Sequence, residues 1–155
     1  MSIRIRRANI RDLDTLLNWG KLLWDVEKDF EKELVFNARQ ARNHYIKELE
    51  SDNSLFLIAE QERKPIGYLY AFVKDKPYYL SNSGKYCELE VIYIEEKARG
   101  KGIAKLLVDK CLDWTKEKHA QYINAGIYAG NITSQKTLLK QGFYNYHRTL
   151  RRDIR

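Results

Sequence analysis

The residues best placed to do chemistry lie in Ile92-Tyr93-Ile94-Glu95-Glu96-Lys97-Ala98-Arg99-Gly100-Lys101-Gly102-Ile103-Ala104, which reads as a strand, a short basic loop and the start of a helix. That chemistry is phosphate binding. Glycines let the backbone turn so that its N–H groups converge, and a helix N-terminus adds partial positive charge. Arg99, Lys101 and Lys105 add full charges, so a diphosphate would sit well there. The loop lacks the spacing of a GxxxxGK[ST] motif, and Lys105 falls where a GxGxxG fingerprint has its third glycine. Taken alone, Gly100-Lys101-Gly102 is explained equally well as a solvated basic turn before an ordinary helix.

Just upstream, period-two alternation puts Glu88, Glu90, Ile92 and Ile94 on one face of a strand and Leu89, Val91 and Tyr93 on the other. Other chemistries find no support. His44, His119 and His147 stand alone without a second ligand three or four residues away, so no metal site is expected. Cys87 and Cys111 have no CxxC partner and lie in apolar runs, which points to reduced, buried thiols.

The elements that must position these residues follow from periodicity. Ile3 to Arg7 alternates as a strand, and Asn9 can cap a helix through Leu13, Leu16, Leu17, Leu23 and Trp24. A second helix carries Ala38, Ala41, Tyr45, Ile46 and Leu49, after an acidic stretch from Asp25 to Glu33. Leu55 to Glu60 and Gly67 to Lys74 read as a hairpin, and Tyr86 to Ile94 as a third strand beyond a turn-rich stretch, Lys76 to Lys85. Gly102 opens an amphipathic helix to about His119, Gln121 to Tyr128 is a strand, Asn131 caps a short helix ended by Gly142, and Phe143 to Leu150 forms a last strand. The predicted order is β-α-α-β-β-β-α-β-α-β: an α/β fold with a mixed sheet, made parallel in part by its helical crossovers.

The 155 residues contain 44% hydrophobic and 32% charged positions, without repeats or a Pro/Gly/Ser-rich linker, so one domain spanning 1–155 is expected. No apolar run approaches the length of a membrane helix, and the N-terminus lacks a signal-peptide core, which leads to the expectation of a soluble, cytoplasmic protein with no membrane partner. Lys and Arg number 28 against 21 Asp and Glu, a net charge of +7 that draws the chain to phosphates of some kind.

Read as Arg-x-x-Gly-x-Ala, the residues Arg99, Gly102 and Ala104 resemble the acetyl-coenzyme A signature of the GNAT superfamily of N-acetyltransferases. Leu57-Ile58-Ala59-Glu60 through Pro65-Ile66-Gly67-Tyr68 resembles that family's central hairpin, and Asn131 with Gly142-Phe143 its late Asn-helix-Gly-Phe segment. The resemblance spans roughly residues 3 to 150 and implies acetyl transfer from acetyl-coenzyme A to a primary amine, by direct attack in a ternary complex.

It further implies that the backbone of Gly100, Lys101, Gly102, Ile103, Ala104 and Lys105, with Arg99, holds the cofactor's diphosphate. Ile92, Tyr93 and Ile94 would pair their main chain with the pantetheine arm, and Asn131 would contact its far side. Aminolysis of a thioester needs a neutral amine, a donor for the carbonyl oxygen and a fate for the leaving thiolate. Glu90, four residues before Ile94, stands where many such enzymes carry a base, with Glu88 as the alternative; the competing reading makes both carboxylates simple attractors of a cation. The family commonly has a general-acid tyrosine seven residues after the asparagine, and here that position is Leu138. Tyr93, Tyr128 and Tyr144 are candidate substitutes, the thiolate can also leave unaided because ordinary thiols have a pKa of about 8.5, and a weakly catalytic acetyl-coenzyme A binding protein is an alternative.

The acceptor is expected to be a small-molecule or peptide amine. If Asp25, Glu27, Asp29, Glu31 and Glu33 line the cleft, a cationic one such as a polyamine, aminoglycoside, lysine or peptide N-terminus is favoured; a solvated helix face with internal ion pairs is the plainer reading. Arg4, Arg6, Arg7 and Arg11 at one end and Arg148, Arg151, Arg152 and Arg155 at the other motivate a rival, a nucleic-acid-binding module, ranked below acetyl transfer because no reading motif accompanies them. Pairing of the last strand with a second copy, as a homodimer, is left open.

Overall fold

The computed structural model describes residues 2–77, 79 and 84–154. Met1, Arg155 and, within the turn-rich stretch, positions 78 and 80–83 lie outside the described residues. Alternation in Ile3-Arg4-Ile5-Arg6-Arg7 produces β1 (Ile3–Arg7), and Asn9 ends it as the cap of a 3-10 turn (Ile10–Asp12), the Asp12 carboxylate accepting from the Asn9 N–H at 2.9 Å. Helix α1 (Leu13–Glu27) and helix α2 (Ala38–Leu49) follow, the second capped by Asn37. The chain continues through β2 (Ser54–Gln61), β3 (Lys64–Asp75), β4 (Lys85–Ile94), α3 (Ile103–Glu117), β5 (Ala120–Ala125) and α4 (Ile132–Leu139).

The five strands lie in the order β1-β2-β3-β4-β5; β4 and β5 are parallel, joined by the α3 crossover, and the other pairs are antiparallel. Two cores result. One face of the sheet buries Leu57, Leu69, Leu89 and Cys87 against Ile103, Leu107 and Cys111 of α3. The other buries Phe56, Ile58, Tyr68 and Tyr70 against Leu16 and Trp19 of α1, with Tyr45 of α2 packed alongside. Each large buried apolar side chain contributes about 1.5–3 kcal/mol, so both helix layers are held by the same sheet.

The expected strand Phe143 to Leu150 does not form: residues 143–154 carry neither helix nor strand. The alternating pattern is present and β5 offers an edge, but among the described residues no ladder joins the segment to it, and Tyr144, Tyr146 and Leu150 stand exposed. A strand needs a partner as well as a pattern. β5 also stops at Ala125 rather than Tyr128, because its pairing with β4 ends at the Leu89–Ala125 pair.

Candidate active site

The decisive local feature is a bulge in β4. Tyr70 pairs with Val91 and Ala71 with Leu89, which leaves Glu90 as an extra residue with no partner on β3. The insertion flips the side-chain alternation. Cys87, Leu89, Ile92 and Ile94 pack towards α3, whereas Val91 and Tyr93 pack towards α1 together with the face that carries Tyr68. The expectation that Glu88, Glu90, Ile92 and Ile94 share one face is therefore corrected: Glu88 pairs with Phe72 on the α1 side, opposite to Ile92 and Ile94. The same place ends the β4–β5 ladder, so from Glu90 to Ile94 β4 has β3 on one side and, among the described residues, no strand on the other. An edge of this kind offers main-chain donors and acceptors to an extended ligand.

At the end of β4 the loop predicted from sequence is present in one piece. Gly100 and Gly102 both adopt φ of 76°, in the left-handed region, and a Cβ on either would meet nothing within 4 Å. Gly102 caps α3 without any side-chain hydrogen bond, so the first-turn N–H groups of the helix are open to an anion. Ile103 is buried in the core, leaving only its backbone to face the loop. The three cations differ: the Arg99 Nε donates to the Ile94 carbonyl at 3.0 Å, Lys105 pairs with Asp109, and Lys101 has no partner among the described residues. Asn131 caps α4, its Oδ1 accepting from the Ser134 N–H at 3.2 Å, and Leu138 is buried in the α3 core.

On the opposite side of the bulge, carboxylates and aromatic rings converge. Burial, and after it the charge of Glu90, raise the carboxyl of Glu27 on the last turn of α1. Glu88 is raised as well, by burial first, with Lys74 and a hydrogen bond from Asn124 opposing the shift. The rings of Tyr68 and Tyr93 lie 5.6 and 5.8 Å from that of Trp19, whose Nε1 donates to Glu95 at 3.3 Å. The hydroxyls of Tyr45 and Tyr68 are 3.2 Å apart, and burial raises both above the ordinary tyrosine range. Tyr128, just beyond β5, is raised by burial and then by Glu27 and Glu31. Sequence reasoning does not single out Trp19, Tyr45 and Tyr68 as site residues; the only available signal is their apolar spacing, which marks core.

The acidic stretch does not act as a block. Asp25 pairs with Lys21 and Lys28 on the outer surface, and Glu31 is bound by Arg151, whereas Glu27 has no ion pair among the described residues. The terminal arginines divide too: Arg6 bridges Asp12 at 2.8 Å and Glu60 at 2.7 Å. No described helix is long and apolar enough to cross a membrane.

The sequence profile of the acetyltransferase (GNAT) family matches residues 17–143. The chain belongs to the GNAT family. A curated relative, an uncharacterized N-acetyltransferase of Methanocaldococcus jannaschii, is 24% identical over 141 residues, which cover 90% of this chain and 59% of that protein. The GNAT chain thus spans less than two thirds of that relative's length. Among solved structures, a tetramutant of the BH1408 protein from Bacillus halodurans superposes with a TM-score of 0.87 at 15% identity, covering 97% of this chain and 99% of that one. The aminoglycoside N-acetyltransferase AAC(6')-Iy in complex with CoA gives 0.81 at 21%, covering 99% and 95%. A predicted acetyltransferase of Clostridium acetobutylicum with acetyl-CoA gives 0.81 at 20%, covering 98% and 96%. These likenesses establish the GNAT fold, the mixed sheet flanked by helices that the sequence implied.

Proposed function

We propose that the chain is an acetyl-coenzyme A dependent N-acetyltransferase acting on a cationic primary amine by direct attack in a ternary complex. The observation that carries this reading is the bulge at Glu90, which opens the edge of β4 towards the basic glycine loop and sets a carboxylate at that opening. The residues fit the co-substrate: the room above Gly100 and Gly102 and the uncapped start of α3 suit a diphosphate, and Lys101, unpaired among the described residues, is the cation available to join it. Acetyl-coenzyme A supplies an activated thioester carbonyl. Ile92, Tyr93 and Ile94 orient its extended arm by main-chain hydrogen bonds, and the amide nitrogen of Asn131, whose Oδ1 is engaged in capping, is left to donate to it.

Glu90 accepts the proton of the incoming ammonium, directly or through water, so that the amine attacks in neutral form. Glu88 and Glu27 add negative potential, which attracts the cation. Of the tyrosines that could protonate the leaving thiolate in place of Leu138, Tyr93 is packed against Trp19, Tyr128 is stacked on Phe30 with its hydroxyl raised by burial and then by Glu27 and Glu31, and Tyr144 is exposed on the tail.

Thermal stabilisation by acetyl-coenzyme A, followed by an amine panel read out as released thiol, tests the reading. Stabilisation together with turnover of a polyamine or aminoglycoside is expected; stabilisation without turnover of any amine would leave only a binding protein.

A further inference from the structure

The tail after α4 has no secondary structure, yet it is tied across the molecule. Arg151 makes two parallel 2.8 Å hydrogen bonds from its guanidinium to both carboxylate oxygens of Glu31, 120 residues away. A bidentate fork of this kind fixes orientation as well as proximity. Glu31 is only 5% exposed and lies beneath the guanidinium, in the connection between α1 and α2.

The neighbouring residue, Phe30, stacks on Tyr128 with ring centroids 5.8 Å apart. Its ring also fills the space above Gly130, where a Cβ would come within 2.5 Å of it. The charge of Arg151 acts on Tyr128 in turn. Three segments far apart in sequence, the α1–α2 connection, the loop after β5 and the tail, therefore meet beside the opening that holds Glu27 and Glu90.

We propose that Arg151 is a positioning residue for the amine acceptor. By clamping Glu31 it holds Phe30 against Tyr128 and so fixes the acceptor-side wall. It also neutralises Glu31, which leaves Glu27 and Glu90 to receive the acceptor's positive charge. The inference rests on the acetyl-transfer reading and concerns the amine half of that site; of the acetyl-coenzyme A half the clamp approaches Gly130, next to Asn131, whereas among the described residues β4 and the start of α3 make no hydrogen bond, ion pair or ring contact with the Arg151–Glu31 pair or Phe30.

The test is spermidine binding to the coenzyme A-loaded full chain, measured by calorimetry without turnover, alongside acetyl-coenzyme A affinity. Glu31→Gln/Arg151→Gln keeps the net charge and removes the ion pair; it should raise the spermidine Kd about tenfold and leave acetyl-coenzyme A affinity within about twofold. Arg151→Lys keeps the charge but only one arm of the fork, and should raise the Kd about threefold. Should the double variant fold poorly, the lysine variant decides. Unchanged spermidine binding in the folded double variant or in the lysine variant, or an equal loss of acetyl-coenzyme A affinity, overturns the clamp alone. A wild-type protein that binds no spermidine overturns the cationic-acceptor reading and the clamp together.

Discussion

Burial and the charge of Glu90 together hold the carboxyl of Glu27 above the ordinary carboxylate range. A raised carboxyl means that the fold disfavours its ionised form, so the cost is present above the folded pKa and fades as pH falls through it. Glu27→Gln should therefore raise stability at pH 7 by a few tenths of a kcal/mol, small because the group is half exposed. The gain should shrink as the medium is acidified through the carboxylate range. The same substitution should raise KM for a polycationic acceptor about tenfold. Thermal melts from pH 4 to 8 and initial rates check both halves; a lower melting point at pH 7 would mean that Glu27 has a stabilising partner.

Glu90→Gln isolates the base. The rate at neutral pH should fall about 100-fold or more, with acetyl-coenzyme A affinity little changed. The deficit should narrow as pH rises towards the amine's own pKa, about 10, because the acceptor then arrives neutral without help. Glu88→Gln, on a carboxyl partly offset by Lys74 and Asn124, should cost less. Equal losses from the two variants, or no loss from Glu90→Gln, would take the base role away from Glu90.

Gly67 tests the open edge from behind. It lies opposite Ile94 on β3, and a Cβ there would come within 2.6 Å of the Tyr93 carbonyl oxygen, a backbone atom that cannot move aside alone. Gly67→Ala must push β4 outward at Tyr93 and Ile94, the residues that would pair with the pantetheine arm. Overpacking of this kind costs about 1–3 kcal/mol. Stability should drop by that order and acetyl-coenzyme A affinity with it, whereas a variant that melts lower but binds the co-substrate normally would separate the edge from the binding site.

Much of this was legible in the sequence, and what was not has a physical cause. β1 lies at its expected limits because Ile3 and Ile5, which pack on the α3 core, alternate with Arg4 and Arg6. The glycine loop was legible because its chemistry is local. The bulge was not: a period-two reading assumes a regular strand, and one extra residue at Glu90 sends Ile92 and Ile94 to the opposite face. The expected last strand does not form, since alternation from Phe143 to Leu150 says nothing about whether the segment pairs with the edge at β5. Glu27 was hidden inside an acidic run whose members the fold sends in different directions. The Arg151–Glu31 pair joins residues too far apart in the chain for any local pattern to report.

Arg6 and Asp12 give the last prediction, on stability rather than activity. Asp12 accepts both arms of the Arg6 guanidinium at 2.8 Å and the Asn9 N–H at 2.9 Å, and the Arg6 hydrogen bonds hold its carboxyl below the usual range against the effect of burial. A depressed carboxyl contributes stability that is fully present above its unfolded pKa of about 3.9 and is lost as pH falls through the lower, folded value. Asp12→Asn should cost about 1–2 kcal/mol at pH 7, less than a fully buried pair because the Arg6 side chain keeps 23% of its surface exposed. For a chain of this size that lowers the melting temperature by about 3–6 °C. The gap between variant and wild type should narrow as the pH falls through the depressed, folded value of Asp12, below which both carry a neutral group at this position. A gap that persists unchanged in acid would show that Asp12 stabilises the start of α1 by shape and capping rather than by its charge.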